Sequence, residues 1–331
     1  MPSPLSAPRR HLLAAAALLA LGAGATSASA APLEQARILV GFPAGSTPDV
    51  VARRVADKLT ANGYAKSVIV DNRTGAGGQL AVAATKGQTA DGSVILISPM
   101  SILGIYPHTY KKLPYDPVAD LTPVSNGATF DYGFGVGPAV PDSVKTIPDF
   151  MAWAKANPTQ ANVGSPAPGS TLHFSALTLG RSAGVELTHI GFRGSQAGIQ
   201  DMLGGQLPAM SSPLGEFLRH VSGGKLRILG TSGAKRSPFT PNVATYGEQG
   251  YKDMTYSEWY GFFLPAKAGA EAVNRLNAAL RQALKAPDVV ESLHSFGLEP
   301  APSSPAELGA LLKADTERWA PIVKAIGFTA D

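Results

Sequence analysis

The amino-acid sequence predicts an α/β fold made of two lobes, and three observations lead to this prediction. Short apolar segments that suit buried strands alternate with amphipathic segments that suit helices, the pattern of α/β layering with parallel sheets. The chain has 331 residues, enough for two domains of ordinary size. Two extended stretches, at residues 128–136 and 256–264, predict that the chain crosses between the lobes twice.

The first 30 residues have the organisation of a secretory signal peptide. Arg9, Arg10 and His11 form a basic start, residues 12–25 are almost purely apolar, and residues 28–30 (ASA) form a small-residue cleavage site. We expect cleavage after Ala30, by either the general or the twin-arginine route. A membrane anchor is the alternative, but the apolar run is shorter than the roughly 20 residues that a span needs.

Composition excludes several classes of protein. The formal charge of +4 falls to +2 without Arg9 and Arg10, which is too weak for a nucleic-acid binder. The absence of cysteine excludes thiol catalysis and thiolate metal sites. We expect no cofactor and no metal.

The first lobe begins with a strand at residues 37–42 and a helix that extends to Leu59. Val51, Val55 and Leu59 are spaced four apart and lie on one face of that helix. Thr47 is predicted as the N-cap, with proline at the first helical position. Further strands are predicted at residues 67–71 and 93–97, and a helix at 80–85 follows a glycine-rich loop at 74–78.

The second lobe follows the first crossing. Thr146 and Asp149 fit a capping box ahead of a helix through Trp153 and Lys155. A strand at residues 162–165 leads through a loop into a helix that begins near Ser170. Further strands are predicted at residues 187–192, 207–210 and 226–230, with helices between them.

After the return crossing, two amphipathic helices are predicted to pack on the first lobe. Their apolar faces are Val273, Leu276, Leu280 and Leu284 in one helix, and Leu308, Leu311, Leu312, Trp319 and Val323 in the other. The first lobe is therefore predicted to be discontinuous, at residues 31–128 and 260–331, and the second to span residues 129–259. A few extended residues at the crossings can serve as a hinge.

The loop at residues 42–49 joins the carboxyl end of a strand to the start of a helix. Free main-chain N–H groups and the positive end of the helix dipole favour an anion there. Gly45 allows the backbone to approach a ligand closely, although an ordinary βα loop has the same pattern. The candidate binding residues here are Phe42, Pro43, Ala44, Gly45, Ser46, Thr47 and Asp49.

The loop at residues 164–171 repeats this logic in the second lobe, and we expect the two loops to face each other across a cleft. Arg193 is a candidate partner for a ligand carboxylate, although a solvated surface arginine fits the pattern equally well. Ser170 and His173 suggest a hydrolase as an alternative, but no third residue is marked to orient the imidazole. The remaining candidates are Ser98, Ser165, Ala167, Gly169, Ser170, Thr171 and His173.

The glycine-rich segment at residues 72–78 invites a comparison with dinucleotide-binding loops. Leu80 stands where that pattern needs its third glycine, so we favour a tight turn that lines the cleft. The sequence contains no Gly-x-Ser-x-Gly, P-loop or His-Glu-x-x-His motif, which argues against an enzyme.

Taken in order, these motifs resemble the Bug-type substrate-binding proteins of tripartite tricarboxylate transport systems. The resemblance implies a type II periplasmic-binding-protein fold in which the loops at 43–49 and 166–171 hold a carboxylate. It also implies a periplasmic location, a membrane permease of one large and one small subunit, and ligands among di- and tricarboxylates, acidic amino acids and aromatic acids. The motifs are residues 40–45 (VGFPAG) with Asp49, 71–73 (DNR) with 75–78 (GAGG), 111–117 (KKLPYDP), 169–171 (GST) with His173, 203–206 (LGGQ), 223–227 (GGKLR) and 234–237 (AKRS).

The chain departs from the family pattern near the candidate site, which leaves the identity of the ligand open. Ser46 stands where a second glycine is usual, Arg193 replaces a common lysine, and Pro208 replaces a common aspartate. We expect a monomeric receptor that binds no nucleic acid. A sensor that hands the same ligand to a membrane signalling protein is the alternative that the sequence leaves open.

Overall fold

A computed structural model describes residues 31–330. The predicted signal peptide and its cleavage site lie outside the described residues. From Leu33 onward the chain forms one compact unit. Within the described part, no helix combines the length and apolarity needed to cross a membrane.

The chain forms two sheets. The first sheet has six strands in the order β11-β4-β10-β3-β1-β2. Its strands are β1 (Ala36–Val40), β2 (Val68–Asn72), β3 (Val94–Pro99), β4 (Leu121–Phe130), β10 (Glu258–Pro265) and β11 (Glu299–Pro300). The second sheet has five strands in the order β7-β6-β8-β5-β9. Its strands are β5 (Tyr132–Val136), β6 (Asn162–Ser165), β7 (Thr188–Gly191), β8 (Ala209–Pro213) and β9 (Arg227–Thr231).

Both sheets are mixed, so the expectation of parallel sheets was wrong in part. In the first sheet, β1 is parallel to β2 and β3, but β10 is antiparallel to β3 and β4. In the second sheet, β6 is parallel to β7 and β8, but β5 is antiparallel to β8 and β9. Strands β5 and β10 each follow a crossing from the other sheet. The two-residue strand β11 is also antiparallel to β4, although it does not follow a crossing.

The helices cover both sheets. They are α1 (Thr47–Ala61), α2 (Gln79–Thr85), α3 (Tyr106–Thr109), α4 (Ile147–Ala156), α5 (Thr171–Ser182), α6 (Ser195–Leu203), α7 (Leu214–Val221), α8 (Ala270–Leu284), α9 (Pro287–His294) and α10 (Pro305–Ile326). A π-helical turn, Ser101–Ile105, follows β3. Short 3-10 turns lie at Ala76–Gly78, Pro158–Gln160 and Lys252–Met254.

The first crossing is shorter than the extended stretch predicted for it. Asp131 alone separates β4 of the first sheet from β5 of the second. The return stretch is itself a strand, β10, and all eight of its residues are buried because it lies between β3 and β4.

The predicted helix faces and caps agree with the structure at most positions. The apolar faces of α8 and α10 are buried, except for Leu311, which is 36% exposed. The capping box of Thr146 and Asp149 is present at the start of α4. A second box, from Ser304 and Glu307, starts α10 and was not predicted.

Candidate ligand-binding site

A small cavity lies where connections of the two sheets meet, and its walls are largely apolar. Its free volume is about 30 Å³, enough for about one or two water molecules. The side chains that line it are Phe42, Ser46, Thr47, Pro48, Pro99, Ser101, Ile102, Phe130, Pro166, Ala167, Ser170, Leu172, Ser195, Pro213, Glu216, Glu258 and Tyr260. Both predicted loops contribute to this wall.

The first loop brings the start of α1 to the cavity. Ser46, not Thr47, is the N-cap residue, so the predicted cap was displaced by one position. The reason is local, since the Ser46 hydroxyl donates to the carbonyl of Pro43 over 2.6 Å and closes the turn one residue earlier. Gly45 has a φ of 79°, a left-handed conformation that favours glycine.

Asp49 organises this loop and does not line the cavity. Its carboxylate accepts hydrogen bonds from the main-chain N–H of Gly45 (2.8 Å), Nδ2 of Asn72 (2.8 Å) and Nε of Arg53 (2.9 Å). Asn72 also donates to the carbonyl of Phe42 over 2.9 Å. The structure thus places the predicted binding residue Asp49 outside the cavity wall, where its oxygens accept bonds that position the loop.

The second loop brings the start of α5 to the opposite side of the cavity. Ser170 is the N-cap residue of α5, and it is 1% exposed. Its hydroxyl has no hydrogen-bond partner, although Ser170 lines the cavity. A buried hydroxyl without a partner is costly, so a ligand atom at this point would satisfy it.

His173 is not among the residues that line the cavity. Its Nδ1 accepts a hydrogen bond from the N–H of Gly169 over 3.0 Å, and its ring stacks on His189 with centroids 3.6 Å apart. Burial, together with the neighbouring His189, lowers the pKa of His173 to about 3. His173 is therefore a neutral packing residue that shapes the loop, and its Nδ1 is not available as a base for Ser170.

Thr171 belongs to a buried hydrogen-bond cluster around Glu258. Thr171 Oγ1 and the Tyr132 hydroxyl both donate to Oε2 of Glu258, the former over 2.6 Å. Ser101 donates to Oε1 through its N–H (2.8 Å) and its hydroxyl (2.6 Å). Burial raises the pKa of Glu258, although these hydrogen bonds oppose the rise.

Glu216 is a second buried acid, and it joins the two sheets across the cavity. Its Oε1 accepts from the N–H of Thr47, the first residue of α1, over 2.7 Å. Its Oε2 accepts from Gln196 over 2.6 Å, and Arg219 lies 3.5 Å away. Burial raises the pKa of Glu216 against these favourable contacts. The Thr47 hydroxyl lies in a 2.7 Å hydrogen bond with the Tyr260 hydroxyl.

The structure brings five of the predicted residues to the cavity wall: Phe42, Ser46, Thr47, Ala167 and Ser170. The others support the loops or lie elsewhere. Ser165 bonds to Nε2 of His189 (2.8 Å), Ser98 donates to the carbonyl of Pro99, and Arg193 is exposed. Five further predicted residues belong to the loops but do not line the cavity: Pro43, Ala44, Gly45, Gly169 and Thr171.

The glycine-rich segment at residues 72–78, which was expected to line the cleft, is outside the set of residues that line this cavity. A Cβ on Gly41 would lie 2.8 Å from Cα of Gly78, which shows that the segment packs backbone to backbone against the end of β1. Its glycines therefore serve close packing.

Sequence reasoning missed the polar residues contributed by later parts of the chain: Ser101, Ser195, Glu216, Glu258 and Tyr260. The sequence positions of Glu216 and Glu258 could have pointed to these two acids. Glu216 and Glu258 each stand within a run of apolar and small residues, where a charged side chain needs a specific reason. Within residues 31–330, no group of three acidic or histidine side chains is arranged to hold a metal ion.

Comparison with known proteins identifies the family of this chain. Residues 51–328 match the tripartite tricarboxylate transporter family receptor, TctC. A Cupriavidus necator protein, the UPF0065 protein in the gbd 5′ region, is 34% identical over 300 residues, or 88% of this chain and 90% of that protein. The protein BugT of Bordetella pertussis is 29% identical over 92% of this chain and 93% of its own length.

Solved structures share the fold over most of this chain. The Rhodopseudomonas palustris protein Rpa4515, solved with adipate, superposes with a TM-score of 0.84 at 27% identity, covering 89% of this chain and 98% of that one. MatC from the same organism, solved with bound malate, gives 0.81 at 25% identity, covering 88% and 99%. The fold is thus that of type II periplasmic binding proteins, and the chain belongs to the tripartite tricarboxylate transporter receptor family, whose members are periplasmic solute receptors and not enzymes.

Proposed function

We propose that this receptor binds a small organic carboxylate in the cavity between the loops at residues 42–48 and 166–172. The ligands that the family resemblance implies are di- and tricarboxylates, acidic amino acids and aromatic acids. The observation that carries the proposal is that α1 and α5 begin on opposite sides of one cavity, where Ser170 presents a buried hydroxyl without a partner. The adipate and malate complexes of the two relatives support a carboxylate ligand.

The starts of these helices suit a single anion. Main-chain N–H groups and the helix dipole stabilise negative charge at a helix N-terminus. Each charge-assisted hydrogen bond contributes about 1.5–3 kcal/mol. A few such bonds, offset by the cost of association, are consistent with dissociation constants in the micromolar range or below.

Binding requires the two sheets to move apart. The cavity of about 30 Å³ leaves no room for an acid of the size of malate, so a ligand enters an open form and is then enclosed. The two lobes in this proposal are residues 31–128 plus 260–331 and residues 129–259. The sheets support a division close to these bounds, since β4 of the first sheet ends at Phe130 and β10 of the same sheet begins at Glu258. The crossings next to Asp131 and β10 would absorb the rotation.

The cellular role that fits this receptor is uptake. We infer export with cleavage after Ala30, a monomeric receptor in the periplasm, and delivery of the ligand to a permease of one large and one small subunit. Membership of the transporter receptor family supports this assignment.

Titration calorimetry of the mature protein against a panel of organic acids tests the proposal. We expect at least one acid to bind at micromolar concentration, and Ser170→Ala to weaken it about tenfold because a ligand hydrogen bond is lost. Ser175→Ala is the matched control, since Ser175 is also a buried serine of α5 but does not line the cavity. A folded protein that binds no acid would contradict the proposal.

A further inference from the structure

The cavity wall carries two buried carboxylates and no cationic side chain. Glu216 and Glu258 are each 2% exposed. Within the described part of the chain, the lining set contains no lysine, arginine or histidine. A carboxylate bound at this wall would therefore have main-chain N–H groups and hydroxyls as its partners, and two buried acids would lie beside it.

Glu216 already accepts the hydrogen bond that a ligand carboxylate would accept at the start of α1. Its Oε1 lies 2.7 Å from the N–H of Thr47, which belongs to the first sheet's connections, whereas Glu216 belongs to the second sheet's. Separation of the sheets therefore breaks this bond and leaves two complementary groups: a free N–H donor at Thr47 and a free acceptor at Glu216.

The partners of Glu216 within its own half of the molecule remain in place on opening. Gln196 Nε2 donates to Oε2 over 2.6 Å, and Arg219 lies 3.5 Å from the same oxygen. Arg219 is 39% exposed in its side chain and also lies 3.4 Å from the carbonyl of Gly45. Its charge is thus shared and partly screened by solvent, and it offsets the negative charge of Glu216 only in part.

A ligand that bridges the separated Thr47 N–H and Glu216 must present both an acceptor and a donor. One carboxylate fits the N–H of Thr47 and the hydroxyl of Ser170, which has no partner. An N–H group fits Oε1 of Glu216. A second carboxylate would instead face the oxygens of Glu216 and Glu258 in a site with little water, where repulsion between like charges is strong.

The rest of the wall defines the body of the ligand. Phe130 and Tyr260 stack with ring centroids 4.5 Å apart, and Phe42, Ile102 and Leu172 complete an apolar surface. A short aliphatic chain or an aromatic ring between the two polar ends would fit this surface.

We infer that Glu216 is a specificity-determining residue, which makes the receptor prefer monocarboxylates that carry an N–H donor, such as an amide or ammonium group, over di- and tricarboxylates. The inference rests on the proposed function and narrows it. It also assigns the Thr47 N–H to the ligand in the bound state and to Glu216 in the closed form without ligand.

Matched pairs of acids test this inference by calorimetry on the mature protein. In each pair one carboxylate is replaced by a primary amide of the same shape: succinate and succinamate, adipate and adipamate, L-glutamate and L-glutamine, terephthalate and terephthalamate. For the pair that binds best, we expect the amide to bind at least tenfold more tightly than the diacid. Equal or tighter binding of the diacid would overturn the inference and leave the proposed function intact, whereas no binding of any acid would contradict both.

Two variants then test Glu216 itself. Glu216→Gln keeps the shape of the side chain and an oxygen for Thr47, and we expect it to reduce the amide preference at least fivefold. Arg219→Gln changes a partly exposed residue that is expected to tolerate substitution, and it should widen the preference because Glu216 loses its cation. Glu317→Gln removes the same charge from an exposed side chain and should change nothing. An amide preference that is the same in Glu216→Gln and Arg219→Gln as in the wild type would show that Glu216 is not the selector.

Discussion

Thr171 Oγ1 donates a hydrogen bond to Oε2 of Glu258 over 2.6 Å, and this bond links the start of α5 to the first residue of β10. Glu258 belongs to a strand of the first sheet, whereas Thr171 belongs to a helix that connects strands of the second sheet. Glu258 also accepts two bonds from Ser101, which follows β3. The carboxylate is thus the centre of a buried polar cluster that holds both sides of the cavity in register.

Glu258→Ala is expected to reduce the free energy of unfolding by about 3 kcal/mol, because it removes the carboxylate that accepts from the N–H and hydroxyl of Ser101 and from the hydroxyls of Thr171 and Tyr132. Urea titration measures this change. Glu317→Ala removes an exposed acid and should cost less than about 0.5 kcal/mol. Equal losses in both variants would show that the cluster adds no stability.

Asp49→Ala is expected to loosen the first loop. The substitution removes the acceptor for the N–H of Gly45 and for Asn72. We expect a loss of about 3 kcal/mol in the free energy of unfolding and weaker binding of the acid identified by calorimetry. Asp57→Ala, at an exposed position of the same helix, is the control. Unchanged stability in Asp49→Ala would contradict the positioning role.

Gly215→Ala is expected to hold the two sheets apart. A Cβ at Gly215 would lie 1.7 Å from the carbonyl oxygen of Phe296, so α7 must move away from that turn and take Glu216 with it. Ligand affinity measured by calorimetry should fall at least tenfold. Gly223→Ala is the matched control, because its nearest neighbour, the carbonyl of His220, is 3.7 Å away. Equal affinities in the two variants would exclude a role for this close contact.

The free energy of unfolding is expected to decrease as the pH is lowered, because His173 and His189 are stacked and buried. Burial lowers the pKa of His173 to about 3 and that of His189 to about 4, from 6.5. Between about pH 4 and 6.5 the unfolded chain therefore binds more protons, so the free energy of unfolding decreases as the pH falls through this window.

Urea titrations at several pH values measure this dependence. We expect a smaller decrease in the variant with His173→Gln and His189→Gln than in the wild type. His108→Gln changes an exposed histidine and should leave the slope as it was. An unchanged slope in the double variant would contradict the assignment.

The sequence predicted the elements whose signals are local. The strand at residues 162–165 and the capping box of Thr146 and Asp149 depend on nearby residues, and both are present as predicted. The start of α1 was misplaced by one residue because the Ser46 hydroxyl turns back to Pro43, a choice that no spacing rule reveals.

The features that escaped prediction depend on distant parts of the chain. The antiparallel position of β10 between β3 and β4 follows from the return crossing, which periodicity does not describe. Glu216 meets Thr47 across 169 positions of sequence, so its role could not be derived from either motif alone. Both predicted loops thus contribute to the cavity wall, whereas the acids that face them were not predicted.

The most direct test of the account is a crystal structure of the mature protein with the acid that calorimetry identifies. We expect the bound acid between the two loops, with one carboxylate within hydrogen-bond distance of the N–H of Thr47 and the hydroxyl of Ser170. An acid bound away from both loops, for example in the 740 Å³ cavity lined by Tyr110, Leu113 and Thr316, would contradict it.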